Sequence, residues 1–240
     1  MSQSNLQDKV VVISGANGGL GQVCSRTFAE AGAKLALLGR KQSELDQLAK
    51  ELGLSAGRFI ALEQDVSNFE GNQSAAKTIQ AELGSLDVFI NLVGGWTGGK
   101  SVLETPKKDF ESMIAQHVHI SLAQIKAFLP PMLEKSWGRI LAISSPSADR
   151  PPGMNSPYAV GKAGMQALML SLAQELEGSG VTANLLQVNT IDVDHQRIKN
   201  RSEKNANWTT PEEISATLLH LCNQEAGMIN GARIPVFGSF

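Results

Sequence analysis

Short runs of leucine and β-branched residues recur along this chain, and most are followed by a longer stretch whose apolar positions return every three or four residues. The short runs predict strands over Lys9–Ser14 (KVVVIS), Lys34–Leu38, Phe59–Leu62, Asp87–Val93 (DVFINLV), Arg139–Ser144 (RILAIS), Val181–Gln187 and Ala232–Phe237. The longer stretches predict helices over Leu20–Ala31, Lys41–Leu52, Phe69–Leu83, Lys107–Leu133, Tyr158–Glu177 and Pro211–Asn223, with Pro130 and Pro131 near the end of the longest. A strand that reads as a continuous apolar run, rather than an alternating one, is buried on both faces. Such strands, alternating with helices long enough to cross over, predict a parallel sheet covered on both sides. One segment breaks the pattern. Val188–Thr210 is polar and long for a connection inside a compact domain, so it reads as a lid over a site or as a mobile loop.

The 240 residues leave room for one large domain over 1–240, and the fold expected is α/β, a doubly wound parallel sheet of the Rossmann type. Hydrophobic content of 42% supports a sizeable core. A formal net charge of −2 gives no electrostatic reason to expect nucleic acid or an anionic membrane surface as partner. Cys24 and Cys222 offer neither a disulfide framework nor zinc spacing, so no metal is expected and a reducing compartment is the natural setting. No apolar run approaches the roughly 20 residues that span a bilayer, and Met1–Lys9 lacks a signal-peptide core. The expectation is a soluble, cytoplasmic protein acting on a small molecule.

The first strand runs into Gly15-Ala16-Asn17-Gly18-Gly19-Leu20-Gly21, in which glycines 15, 19 and 21 form G-x-x-x-G-x-G. Glycine allows a tight turn and close approach of backbone to a pyrophosphate, and the helix that follows offers free N–H groups and a positive dipole end. A plain strand–helix turn also uses glycines, but the place of this one, in the first βαβ unit, favours a dinucleotide site. After the second strand come Gly39-Arg40-Lys41, where a carboxylate would select NAD. Arg40 fits a 2′-phosphate bidentately and Lys41 adds charge, which points to NADP(H); alternatively both are solvated residues opening a helix. Asp65, followed by Val66, suits the adenine amino group or a cap on the next helix.

Tyr158 is the only tyrosine, and Lys162 follows at i+4, on the same helical face. A nearby ammonium stabilises a phenolate, which makes tyrosine a competent acid/base near neutrality. Ser145 ends the fifth strand, at the edge of the sheet where ligands bind, and its hydroxyl suits the same substrate oxygen. Each piece alone has an ordinary reading, as a surface pair or a turn serine.

SGANGGLG at 14–21, SS at 144–145 and YAVGK at 158–162 together resemble the short-chain dehydrogenase/reductases, over about Gln7 to Gly238. The resemblance implies that Tyr158 is the acid/base, that Lys162 lowers its pKa and binds the nicotinamide ribose, and that Ser145 orients the carbonyl or alcohol. It also implies a cofactor wall of Asn91, Val93 and Gly94. The chain departs from the family pattern in three places. Asn91-Leu92-Val93-Gly94 stands for N-N-A-G, Val188-Asn189 for Pro-Gly, and His117 for a helix asparagine in a proton relay. His117 would bring a pKa near 6.5 to that relay, or is structural. A narrower resemblance, carried by Gly94-Gly95-Trp96-Thr97-Gly98-Gly99, Pro152-Gly153-Met154 and Trp208-Thr209-Thr210-Pro211, is to the quinonoid dihydropteridine reductases. Trp96 could stack on a flat substrate or be one buried tryptophan in a glycine-rich loop.

Tyr158–Glu177 is apolar nearly all round, which suggests a second buried face in a homodimer or homotetramer, or cover from the preceding long helix. The function expected is NADP(H)-dependent interconversion of a carbonyl and an alcohol. The alternatives are a quinonoid dihydropteridine-type reductase and a non-catalytic NADP(H)-binding sensor or scaffold.

Overall fold

The computed structural model describes residues 6–237. The polar start at 1–5 and Gly238-Ser239-Phe240 lie outside the described residues. Seven parallel strands form one sheet in the order β3-β2-β1-β4-β5-β6-β7. They are β1 (Val10–Ser14), β2 (Lys34–Gly39), β3 (Phe59–Glu63), β4 (Val88–Asn91), β5 (Gly138–Ser144), β6 (Val181–Gln187) and β7 (Arg233–Pro235). The helices are α1 (Gly19–Glu30), α2 (Gln42–Glu51), α3 (Phe69–Leu83), α4 (Lys107–Ile114), α5 (Ile120–Phe128), α6 (Pro130–Glu134), α7 (Ser156–Glu175), α8 (Gln196–Lys199) and α9 (Pro211–Leu221).

Burial on both faces follows from the apolar runs. In β1, Val10 and Val12 enter one core with Phe89, Phe128 and Met169, while Val11 and Ile13 enter the other with Phe28, Leu35 and Leu218. The chain winds outward from β1 in both directions, so the connections that leave the carboxyl ends of the paired strands β1 and β4 run to opposite sides and leave a crevice there. No helix of the described residues is long and apolar enough to cross a membrane.

Two expectations need correction. The single helix over Lys107–Leu133 is three helices, with a π turn over Ala115–His119 between α4 and α5. Pro130 and Pro131 lack the N–H groups that would continue the ladder, which separates α5 from α6. The segment 188–210 is not structureless. The Asp192 carboxylate accepts from the N–H groups of Gln196 and Arg197 at 2.7 and 2.8 Å and starts α8, and Thr210 and Glu213 close a capping box that starts α9.

Candidate active site

The crevice opens into a cleft of about 730 Å³ bounded by the glycine turn, Trp96, His117, Ser145, Tyr158 and Lys162. A second hollow of about 500 Å³, bounded by Asn17, Arg40, Asp65 and Val66, shares Gly15, Gly18, Val93 and Gly94 with the first. The two form a trough across the carboxyl edge of the sheet.

At the centre, Gly15 has φ +87° and packs against the backbone of Leu92 and Val93, so no other residue makes this turn without strain. A Cβ on Gly21 would stand 2.2 Å from the Gly15 carbonyl oxygen. Gly18 caps α1 without a side chain, and the first turn carries no acid. The N–H groups of that turn therefore face the cleft uncompensated, which is a cradle suited to a pyrophosphate. Leu20 is buried against the turn and helps line the cleft. Val193, from the segment before α8, roofs Gly19, with methyl carbons 2.9 Å from where a Cβ would be.

At one end, β5 delivers Ser145 and the first turns of α7 deliver Tyr158 and Lys162. Tyr158 and Ser145 are hydrogen-bonded through their side chains. The Ser145 Oγ also accepts from the Ser147 N–H at 3.2 Å. The buried Lys162 ammonium donates to the Ile143 carbonyl at 2.8 Å and lies 5.7 Å from the Tyr158 ring centroid. Burial lowers the Lys162 pKa to about 8. Burial also pushes the Tyr158 phenol above its ordinary value, against the opposing hydrogen bond from Ser145. The expected lowering of Tyr158 by Lys162 is thus not what this geometry gives, because desolvation of the phenolate outweighs the hydrogen bond that favours it.

The π turn places His117 beside these groups. Its Nε2 lies 3.0 Å from the Gly95 carbonyl oxygen, which can only accept, so Nε2 carries the proton. Its Nδ1 is buried without a partner. The ring meets Tyr158 edge-on at 5.6 Å. A Cβ on Gly94 would stand 2.6 Å from Cε1, and one on Gly161 would stand 2.9 Å from Cδ2, so two glycines clamp the imidazole. Burial first, and the Lys162 charge second, lower the His117 pKa to about 4. The expected value near 6.5 is corrected accordingly, and the ring is neutral at pH 7.

A model of the family described as short chain dehydrogenase matches residues 9–204. The chain belongs to the short-chain dehydrogenase family. Among its relatives are a short chain dehydrogenase of Pseudocercospora fijiensis, 30% identical over 79% of this chain, and the dehydrogenase/reductase SDR family member 7B of Danio rerio, 35% identical over 76%. The chain spans 62% and 60% of the lengths of those two. An uncharacterized oxidoreductase of Staphylococcus aureus is 28% identical over 91% of this chain and 93% of its own. A solved short chain dehydrogenase from Bacillus anthracis superposes with a TM-score of 0.85, at 25% identity, over 95% of this chain and 94% of that one.

Short-chain dehydrogenases use nicotinamide cofactors, and the trough offers this chain the means to hold one. Several candidate residues stand differently from expectation. Asn91 lies behind the wall: its amide donates to the Ser121 Oγ at 2.9 Å and its oxygen accepts from the Val93 N–H at 3.0 Å. Ser121 in turn donates to the His117 carbonyl at 2.6 Å, and Gln124, one turn on, donates to the Ser14 Oγ at 2.6 Å. Lys41 is engaged by Glu44 at 2.6 Å, and the same carboxylate accepts from Asn17 at 2.5 Å. Arg40 alone of the two cations borders the trough. Asp65 binds Ser67, through its N–H at 3.0 Å and its hydroxyl at 2.7 Å, and Asn68 rather than Asp65 caps α3. Trp96 is 62% exposed, which corrects the reading of a buried tryptophan.

Sequence reasoning gave no individual role to Gly95, Ser147, Asn155, Gly161 or Val193, although Gly95 and Gly161 fall inside the quoted motifs and Val193 inside the segment read as a lid. Asn155 carried a misleading signal. It precedes Ser156-Pro157 at a helix start, where it reads as an ordinary cap.

Proposed function

We propose that this chain interconverts a small carbonyl compound and its alcohol with NADP(H), using Ser145, Tyr158 and Lys162. The observation that carries the reading is their convergence with the glycine turn on one cleft. Bound nicotinamide supplies or accepts the hydride. In reduction, the Ser145 hydroxyl and the Tyr158 hydroxyl hold the carbonyl oxygen, and Tyr158 gives that oxygen its proton as the carbon gains hydride. The Lys162 ammonium, protonated below pH 8, offsets the negative charge left on Tyr158 and is available to a ribose hydroxyl. His117, a neutral ring edge-on to Tyr158 with an unpaired Nδ1, serves the relay by which Tyr158 is reprotonated.

Gly15, Asn17, Gly18, Gly19, Leu20, Gly21, Val93 and Gly94 form the pyrophosphate and nicotinamide walls, with Asn91 bracing the last two. Arg40 takes the 2′-phosphate, and the surroundings of Asp65 and Val66 take the adenine. Lys41 contributes little there, because Glu44 neutralises it. The chain works in the cytoplasm, and as a homodimer or homotetramer, the latter supported by the exposed apolar Leu122 of α5 and Val160 of α7.

The test is NADPH consumption over a panel of aldehydes, ketones and quinonoid pterins, with Tyr158→Phe as control. We expect Tyr158→Phe to lower turnover by about 10²–10⁴-fold. NADPH binding with no Tyr158-dependent turnover on any substrate would replace this reading with the non-catalytic one.

A further inference from the structure

Asn155 stands at the N-cap of α7, where an asparagine ordinarily caps the helix, yet its side chain makes no cap hydrogen bond. Its oxygen accepts instead from the Trp96 Nε1–H at 2.9 Å, and its amide donates to the Ser147 Oγ at 3.2 Å. Ser147 belongs to the turn that holds Ser145. The residue before it, Met154, has φ +60°, a conformation non-glycine residues rarely adopt, and its carbonyl accepts from the Gly99 N–H at 2.7 Å. Gly98 packs so closely that a Cβ there would stand 2.7 Å from the Trp96 ring and 2.9 Å from the Asn155 oxygen. The loop after β4 and the loop after β5 are therefore tied together beside the cleft, at the expense of a helix cap and a strained residue. What the tie holds still is an indole that is mostly exposed and borders the cleft.

A lone exposed tryptophan gains nothing for folding from such fixation, whereas a fixed aromatic face binds a flat ring by stacking without first losing rotamer freedom. We propose that Asn155 is a positioning residue that fixes Trp96 relative to Ser145, and that the cleft thereby prefers flat, conjugated ring carbonyls over puckered or open-chain ones. This rests on the reductase reading for its chemistry, but the preference itself is a matter of binding. Trp96 sets the ring plane, and the link through Ser147 sets where that plane lies relative to the serine that holds the oxygen.

The experiment compares 1-tetralone with 1-decalone, which share a carbon skeleton and differ in flatness, on the full chain with NADPH. The readout is the ratio of their kcat/KM values in each variant divided by the ratio in the wild type, which cancels intrinsic reactivity. Trp96→Ala and Asn155→Ala should each lower this ratio about three- to tenfold, mainly through KM for 1-tetralone. Asn155→Asp keeps an acceptor for the indole N–H and should restore most of it, which a merely structural role would not predict. Calorimetric titration with 1-tetralol and 1-decalol reads the same preference without turnover. Loss of affinity for 1-tetralol alone supports the proposal. Equal weakening of both alcohols, or no binding of 1-tetralol by the wild type, overturns it. Binding of 1-tetralol that depends on Trp96, with no Tyr158-dependent turnover on any substrate of the panel, would instead overturn the reductase reading and leave this one standing.

Discussion

At the Tyr158 end of the trough the ionisable groups are shut away from water, whereas at the Arg40 end they stand in it. Lys162 and His117 are buried, and both lose basicity because their charged forms are desolvated. Arg40, Lys41 and Asp65 are exposed. There, Lys41 and Glu44 form a solvated pair of the kind worth at most about 1 kcal/mol. Burial sets the electrostatics of the first end and resists salt, while point charges set the second and are screened within about 10 Å at 0.1 M salt. The first end should govern rate and the second affinity.

Lys162→Met gives the largest separation of the two. It should lower kcat by about 100-fold or more, since the phenolate loses its counter-charge. It should also stabilise the fold at pH 7. The folded pKa of about 8 lies below the ordinary lysine value of 10.5. The unfolded chain therefore keeps the proton more tightly, stability rises with pH between those values, and below 8 the full penalty is present. Removing the ammonium relieves that penalty but strands the Ile143 carbonyl, for a net gain of about 1–2 kcal/mol. A urea midpoint that fails to rise would show that the ammonium is not paying a burial penalty.

His117 comes next. Its folded pKa of about 4 is below the ordinary histidine value of 6.5. As pH falls through that window the unfolded chain gains a proton first, so stability is lost there, by about 3 kcal/mol for this one group. His117→Asn should flatten the melting temperature between pH 6.5 and 4. It should leave the pH–rate profile between 6 and 8 without a lost limb, because a neutral ring titrates outside that range. An acid profile identical to the wild type, or a limb near 6.5 that disappears, would contradict the burial assigned to this ring.

The smallest effects belong to the open end. Arg40→Ala should weaken NADPH about tenfold at low salt, and less at high salt, with NADH unaffected. Lys41→Ala should change either affinity less than about twofold. If Lys41→Ala matches Arg40→Ala, the pairing with Glu44 does not restrain Lys41 in solution.

The same contrast explains what was legible in the sequence. The strands and helices were readable because burial on both faces writes continuous apolar runs. Ser145, Tyr158 and Lys162 were readable because local spacing fixes them on one strand end and one helix face. The neutrality of His117 was not, since it comes from Gly94 and Gly161 closing on the ring from distant parts of the chain. Nor was Asn155, whose residue type fits the cap it does not make. The withdrawal of Asn91 from the cleft depends on Ser121, two residues beyond a π turn that no residue pattern announced. The engagement of Lys41 was within reach, because Glu44 follows it at i+3.

That π turn gives the long helix two phases. Each α-helical residue advances the side chains by about 100° around the axis, and a π turn amounts to one residue inserted into the winding. Upstream of it, α4 packs the backbone of Met113 against Gly161. Downstream, α5 keeps the phase that brings Ser121 to Asn91 and Gln124 to Ser14. A straight helix could satisfy one set of neighbours or the other. The extra residue lets a single rod serve both α7 and the central strands, and His117 sits at the seam between the two windings.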